Sequence, residues 1–196
     1  MTINPPTQLT LLRIGLIPVL VTMLYMPFHW ANEVALIIYL FASLTDLVDG
    51  WWARRSGQVS RFGAFLDPVA DKLMVCTILV IVVQQNPNII LALAASVIIC
   101  REVLVSALRE WMSEMGRRGL VAVGWLGKLK TVMQMTAIGF LVYSDNLWRL
   151  PMFSIGLILL LIAAALTLWS MMQYLQAARP TLFEEDDNDN ESHEQI

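Results

Sequence analysis

The chain reads as an all-α integral membrane protein with six transmembrane helices and a short interfacial helix at its N-terminus. Three observations predict this. Hydrophobic residues fill 57% of 196 positions and charged ones 15%, with a mean hydropathy of +0.62, the balance of a membrane protein. Six apolar runs follow one another along the chain, each near the ~20 residues that a spanning helix needs. Lys and Arg concentrate on alternate connections between those runs, as the positive-inside rule requires.

The N-terminal dozen residues are polar and include Pro5 and Pro6, and LTLLRIGLIPVL then leads amphipathically into the first span at 12–30. That pattern predicts a short helix lying on the inner membrane surface before entry; the competing reading for residues 1–6 is a disordered start. Pro27 to Asn32 breaks the chain before a second span at 33–52. The Arg54–Phe62 loop precedes a third at 66–85, and Gln84 to Asn88 a fourth at 88–107. The Arg109–Gly119 stretch and Ser144 to Pro151 bracket a fifth at 121–144, which carries Lys128 and Lys130 and has the weakest apolar signal. The sixth covers 151–175.

Arg54, Arg55 and Arg61 sit in one connection and Arg109, Arg117 and Arg118 in another, whereas the 27–33 and 84–88 turns have no Lys or Arg and 144–150 has only Arg149. The basic connections are therefore expected in the cytoplasm, with both termini on that side. The net charge of −3 hides a division, because seven acids lie between Glu184 and Glu194 and the rest of the chain has 13 bases against 9 acids. This predicts a membrane catalytic domain over 1–180 and an acidic, disordered tail over 181–196. Cys76 and Cys100 fall in different apolar runs, and His29 and His193 are isolated, so neither a disulfide framework nor a zinc site is expected. No nucleic-acid partner is expected.

The chemistry concentrates between residues 46 and 71, in DLVDGWWARRSGQVSRFGAFLDPVAD. Asp46 and Asp49 are three apart, Asp67 and Asp71 four apart, so each pair shares a helix face. With the second and third spans antiparallel, both pairs come to one depth near the inner surface. Ionised groups there are costly and read as functional. Four carboxylates this close repel unless a cation lies among them, and oxygen-only donors suit Mg²⁺, Mn²⁺ or Ca²⁺. Gly50 and Ala53 leave room beside the aspartates, and Arg54 supplies a planar fork suited to phosphate. Together these describe a diphosphate site.

The run Asp46–x2–Asp49–Gly50–x2–Ala53–Arg54–x8–Gly63–x3–Asp67–x3–Asp71 resembles, at every fixed position, the signature of the CDP-alcohol phosphotransferase family. The resemblance implies a six-helix membrane enzyme, a homodimer, a CDP-linked donor and release of CMP. It implies that Asp46, Asp49, Asp67 and Asp71 bind Mg²⁺ or Mn²⁺, two ions per site, with Asp71 also the general base. Gly50, Ala53 and Arg54 would contact the CDP group, and Gly63 would permit close approach.

Basic residues choose the acceptor. Arg101, Arg109, Lys128 and Lys130 lie in or at the ends of the fourth and fifth spans, where a cationic pocket suits an anionic acceptor; anchoring to anionic lipid is the competing reading. Glu102, Thr131 and Gln134 are candidates for orienting these bases, or for helix packing. Thr10 and Arg13 are candidates for reaching the nucleotide, or for surface anchoring. FLDPVADKLMV, REVLVSALRE, GKLKTVMQM and LTLLRIGLIPVL are similar to the bacterial branch of that family whose acceptor is sn-glycerol 3-phosphate and whose donor is CDP-diacylglycerol. The resemblance thus implies a bacterial cytoplasmic membrane enzyme, its active site on the cytoplasmic side. The alternatives are a relative using serine, inositol or phosphatidylglycerol, and, from another class, a divalent-cation transporter or a scaffold.

Overall fold

Six helices and no β-strand make up the described residues of the computed structural model, which are 5–56, 61–114, 125–144 and 150–193. In chain order they are α1 (Pro5–Tyr25), α2 (Ala31–Ser56), α3 (Arg61–Gln85), α4 (Ile89–Glu114), α5 (Trp125–Tyr143) and α6 (Met152–His193). Three of them contain stretches long and apolar enough to cross a membrane, namely Thr7–Tyr25, Ile89–Met112 and Met152–Gln173. The others are diluted by charge, since α2 and α3 carry the aspartates and arginines of the motif and α5 carries its lysines.

Two expectations are corrected. No separate interfacial helix precedes the first span: α1 runs unbroken from Pro5 to Tyr25. The reason is its polar stripe, because Thr7, Thr10 and Arg13 recur at helical spacing and are buried against the protein, so this stretch packs inward rather than lying on lipid. At the other end, the helical backbone of α6 continues to His193, past residue 180 where the sequence predicts a disordered tail. Extending a helix already nucleated by packing fixes one residue per added bond.

The helix ends follow local chemistry. Asn88 caps α4, its Oδ1 accepting from the amides of Ile90 at 2.8 Å and Leu91 at 3.3 Å. Ser144 ends α5 in the left-handed region at φ 58°, its amide donating to the Phe140 carbonyl at 3.0 Å. The far ends of α1 and α3 are tied by Gln85 Nε2, which donates to the Leu24 carbonyl at 2.6 Å.

Each helix contributes a fully buried apolar residue to one core: Leu20, Tyr39, Ile78, Ile98, Ile138 and Leu160. The outer surface is also apolar, with Ile37, Val80, Leu93, Val103, Val132 and Trp169 exposed. Apolar residues both inside and outside are the mark of helices solvated by lipid. Within the bundle α1 packs on α2 and α3, α4 on α3 and α6, and α5 on α6, α2 and α3.

The α5–α6 contact is tight at Gly156, where an added Cβ would lie 2.9 Å from Leu141 Cγ and 3.1 Å from the Ala137 carbonyl oxygen. Gly15 has nothing within 4 Å of such a Cβ. Gly156→Val is therefore expected to cost about 2 kcal/mol through overpacking. Gly15→Ala should gain about 0.5–1 kcal/mol from helix propensity. Thermal unfolding in detergent, followed by circular dichroism, checks both signs.

Candidate active site

Three of the motif's aspartates, Asp46, Asp67 and Asp71, are bonded by the polar stripe of α1. Asp46 projects from α2, and Asp67 and Asp71 from α3. Arg13 Nη1 donates to Asp46 Oδ1 and to Asp71 Oδ1, each at 2.8 Å. Thr10, one turn earlier on the same face of α1, donates its hydroxyl to Asp67 Oδ1. Three helices thus converge through five side chains. The guanidinium is 2% exposed, whereas Asp46 and Asp71 are 30% and 39% exposed. The cation is therefore sealed inside and the carboxylates open outward.

This arrangement answers the repulsion that the sequence raises. A protein cation lies between Asp46 and Asp71, and its charge offsets theirs where solvent screening is weak. Surface anchoring is excluded for Thr10 and Arg13, since both are buried. What sequence reasoning missed is that Arg13 binds the aspartates themselves. The signal was available: Thr7, Thr10 and Arg13 form a polar stripe at i, i+3 and i+6 inside an apolar helix.

The donor set fits a hard divalent cation. Asp46 Oδ1 and Asp71 Oδ1 lie within twice 2.8 Å of each other, because both bond one nitrogen. Each carboxylate has a second oxygen, and all the donors are oxygen. Asp49, Gly50, Ala53 and Arg54 follow on α2, over about the next two turns after Asp46. Their side chains lie outside the described residues, and among the described residues no group of three or more metal-binding side chains is formed. Gly63 is buried in the first turn of α3.

The basic residues occupy other helices. Arg101 on α4 and Lys130 on α5 are each 5% exposed. Arg101 Nη1 pairs with Glu102 Oε1 at 2.7 Å. Arg101 Nε and Lys130 Nζ are buried with no hydrogen-bond partner among the described residues. Gln134 is buried one turn beyond Lys130, whereas Thr131 is exposed and does not share that face. The side chains of Arg109 and Lys128 lie outside the described residues, as do Arg117 and Arg118.

An apolar groove of about 450 Å³ runs between α2 and α5, reaching the start of α6 at Met152. Tyr39 and Ser43 line one wall, Met135, Gly139 and Phe140 the other. Tyr39 fixes the two walls together by donating to the Met135 carbonyl at 2.9 Å. Ser43, in its α2 wall, lies one turn before Asp46.

Removing Arg13 leaves two carboxylates facing each other without their shared cation. Arg13→Ala is expected to destabilise the protein by about 2 kcal/mol, less than for a fully buried pair because both acids are partly exposed. Detergent thermal unfolding measures the loss.

The sequence comparisons agree with this geometry. The family model for CDP-alcohol phosphatidyltransferase matches residues 3–169. A Salmonella choleraesuis protein named CDP-diacylglycerol–glycerol-3-phosphate 3-phosphatidyltransferase is 49% identical over 185 residues, covering 94% of this chain and 100% of its own length. Proteins of the same name from Shigella flexneri and Escherichia coli K12 are each 47% identical over the same shares. With most of its length matched by that family model and by these relatives, the chain belongs to the CDP-alcohol phosphatidyltransferase family.

Proposed function

We propose that the protein transfers the phosphatidyl group from CDP-diacylglycerol to sn-glycerol 3-phosphate, giving phosphatidylglycerol phosphate and CMP. The observation that carries this reading is the bonding of Asp46 and Asp71 by Arg13 and of Asp67 by Thr10, two helices' carboxylates held by one stripe of α1, in a chain 49% identical to a protein named for that reaction. In this reading all six helices span a bacterial cytoplasmic membrane, and the enzyme works as a homodimer with its aspartates and both termini facing the cytoplasm. Basic connections on alternate turns support that sidedness.

Asp46, Asp49, Asp67 and Asp71 would hold the divalent cation, Mg²⁺ or Mn²⁺, with two ions as the family resemblance implies. When bound, the cation supplies positive charge that neutralises the diphosphate. The chain's own residues do the rest. Gly50, Ala53, Arg54 and Gly63 receive the CDP group. Asp71 takes the proton of the glycerol 1-hydroxyl as its oxygen attacks the phosphorus bearing the diacylglycerol, in line with departing CMP. Arg101, Arg109, Lys128 and Lys130 hold the acceptor's phosphate, and buried cations with unused donors support this for Arg101 and Lys130.

The groove between α2 and α5 takes one acyl chain of the donor. Its lining is apolar, Ser43 in its wall lies one turn before Asp46, and its ~450 Å³ is of the order that a single lipid chain displaces. Gly139→Leu would fill it from the α5 wall. That variant should lose about tenfold in kcat/KM toward a long-chain donor and much less toward a dioctanoyl donor, measured side by side as CMP release.

An acceptor panel with metal omitted and restored tests the reaction itself. Purified protein should release CMP from CDP-diacylglycerol with glycerol 3-phosphate, lose activity in EDTA and regain it with Mg²⁺ or Mn²⁺. CMP release with serine, inositol or phosphatidylglycerol instead would transfer the protein to another acceptor. Asp71→Asn should abolish turnover to below about 1% with the fold intact, whereas Arg117→Ala should change little. Equal activity in the two variants would contradict the assignment of Asp71.

A further inference from the structure

Hydroxyls within the helices of this protein ordinarily donate to the carbonyl one turn back. Thr22 does so to Pro18 at 2.8 Å, Ser43 to Tyr39 at 2.9 Å, and Thr136 to Val132 at 2.8 Å. That bond is always within reach of a helical Ser or Thr. Thr167 on α6 departs from this pattern. It is fully buried, and its Oγ1 has no hydrogen-bond partner among the described residues. A buried hydroxyl that forgoes an available bond is costly, and it calls for a reason.

Its position supplies one. The antiparallel register of α5 and α6 follows from Gly156, which packs against Ala137 and Leu141. Counting eleven residues inward along α6 reaches Thr167, and an equal count back along α5 from the middle of that contact reaches the level of Lys128 to Lys130. A second register comes from α4. Leu91 and Ile98 share the main core with Leu160 and Ala164, while Val105 and Met112 share a second cluster with Met171. The two helices therefore run the same way. One turn before Val105 stands Arg101, and one turn before Met171 stands Thr167.

Three buried polar groups without partners, Arg101 Nε, Lys130 Nζ and Thr167 Oγ1, thus occupy one depth on α4, α5 and α6. Of these helices α6 is the one packed on both of the others. Each group has a donor hydrogen to offer. A phosphate monoester presents three acceptor oxygens, enough for all three.

We infer that Thr167 donates a hydrogen bond to the acceptor's phosphate, completing on α6 the anion site that Arg101 and Lys130 begin. This rests on the acceptor reading above and adds a specificity-determining residue outside the family motif. The buried hydroxyl, unpartnered among the described residues, is then left for the phosphate to take. A neutral donor beside two cations lets the site grip a dianion through directed bonds rather than charge alone, which favours a phosphorylated alcohol over a bare one.

Thr167→Val keeps the shape and removes the donor; Thr167→Ser keeps the donor. In the full-length detergent-solubilised protein, Thr167→Val should raise KM for glycerol 3-phosphate about tenfold and leave KM for CDP-diacylglycerol unchanged. Thr167→Ser should stay near wild type. Without acceptor, Thr167→Val should melt no lower than wild type, since it removes an unsatisfied buried hydroxyl, and glycerol 3-phosphate should stabilise it less. An unchanged acceptor KM in Thr167→Val overturns the inference. So does a lower melting temperature with both KM values raised together, the result of a packing role. Wild-type turnover separates the two levels. If wild type uses glycerol 3-phosphate and Thr167→Val matches it, the role of Thr167 falls alone. A wild type that ignores glycerol 3-phosphate overturns both readings.

Discussion

One buried guanidinium holds the aspartate side of this protein together. Arg13 bonds carboxylates from two different helices through a single nitrogen, at 2.8 Å to each, while α1 supplies no other charged side chain to the buried stripe of Thr7, Thr10 and Arg13. Carboxylates brought this close at a membrane's edge would drive α2 and α3 apart. The shared cation turns that repulsion into a three-helix tie, and Thr10 repeats the tie at Asp67. Such an arrangement is sensitive to loss of one partner, since what remains is charge without compensation. An arginine suits it because the guanidinium remains charged in any protein environment and has further N–H donors to satisfy.

The polar interior divides into two regions borne by different helices. The acidic one is built from α1, α2 and α3, and the buried basic side chains Arg101 and Lys130 stand on α4 and α5. The apolar core that includes Ile78, Ile98 and Ile138 joins the six helices outward of both. In the proposed reaction this division has a purpose: the nucleotide-activated lipid is received on the acidic side, its charge met by cation, and the acceptor's phosphate on the basic side. Glycerol 3-phosphate, small and anionic, would then be brought to the donor by residues that no metal occupies.

Much of the architecture is legible in the sequence because membrane helices declare themselves by length and apolar content. The six predicted runs overlap the six helices, with the larger differences at both ends of α1, the start of α3 and the C-terminal ends of α4 and α6; three of the six are long and apolar enough to cross a membrane. The aspartates are legible too, since i, i+3 and i, i+4 spacing leaves little choice of face. Arg13 is harder to read. A lone arginine near the start of an apolar helix looks like one that snorkels to the lipid headgroups, and only tertiary packing reveals that its stripe turns inward. Thr167 is harder still, because a threonine in an apolar run passes for one bonded to its own helix. The continuous α1 escapes detection for a related reason: polarity toward the protein and polarity toward water produce the same amphipathic pattern.

The central claim is that the acidic residues of α2 and α3 form a single pocket for a cation and the nucleotide it serves. Crystals of the full-length protein grown with Mn²⁺ and CMP, measured at a wavelength where manganese scatters anomalously, test it directly. The account predicts anomalous density among the side chains of Asp46, Asp67 and Asp71, with the CMP phosphate beside it. Manganese bound elsewhere, or CMP held apart from these carboxylates, would contradict it.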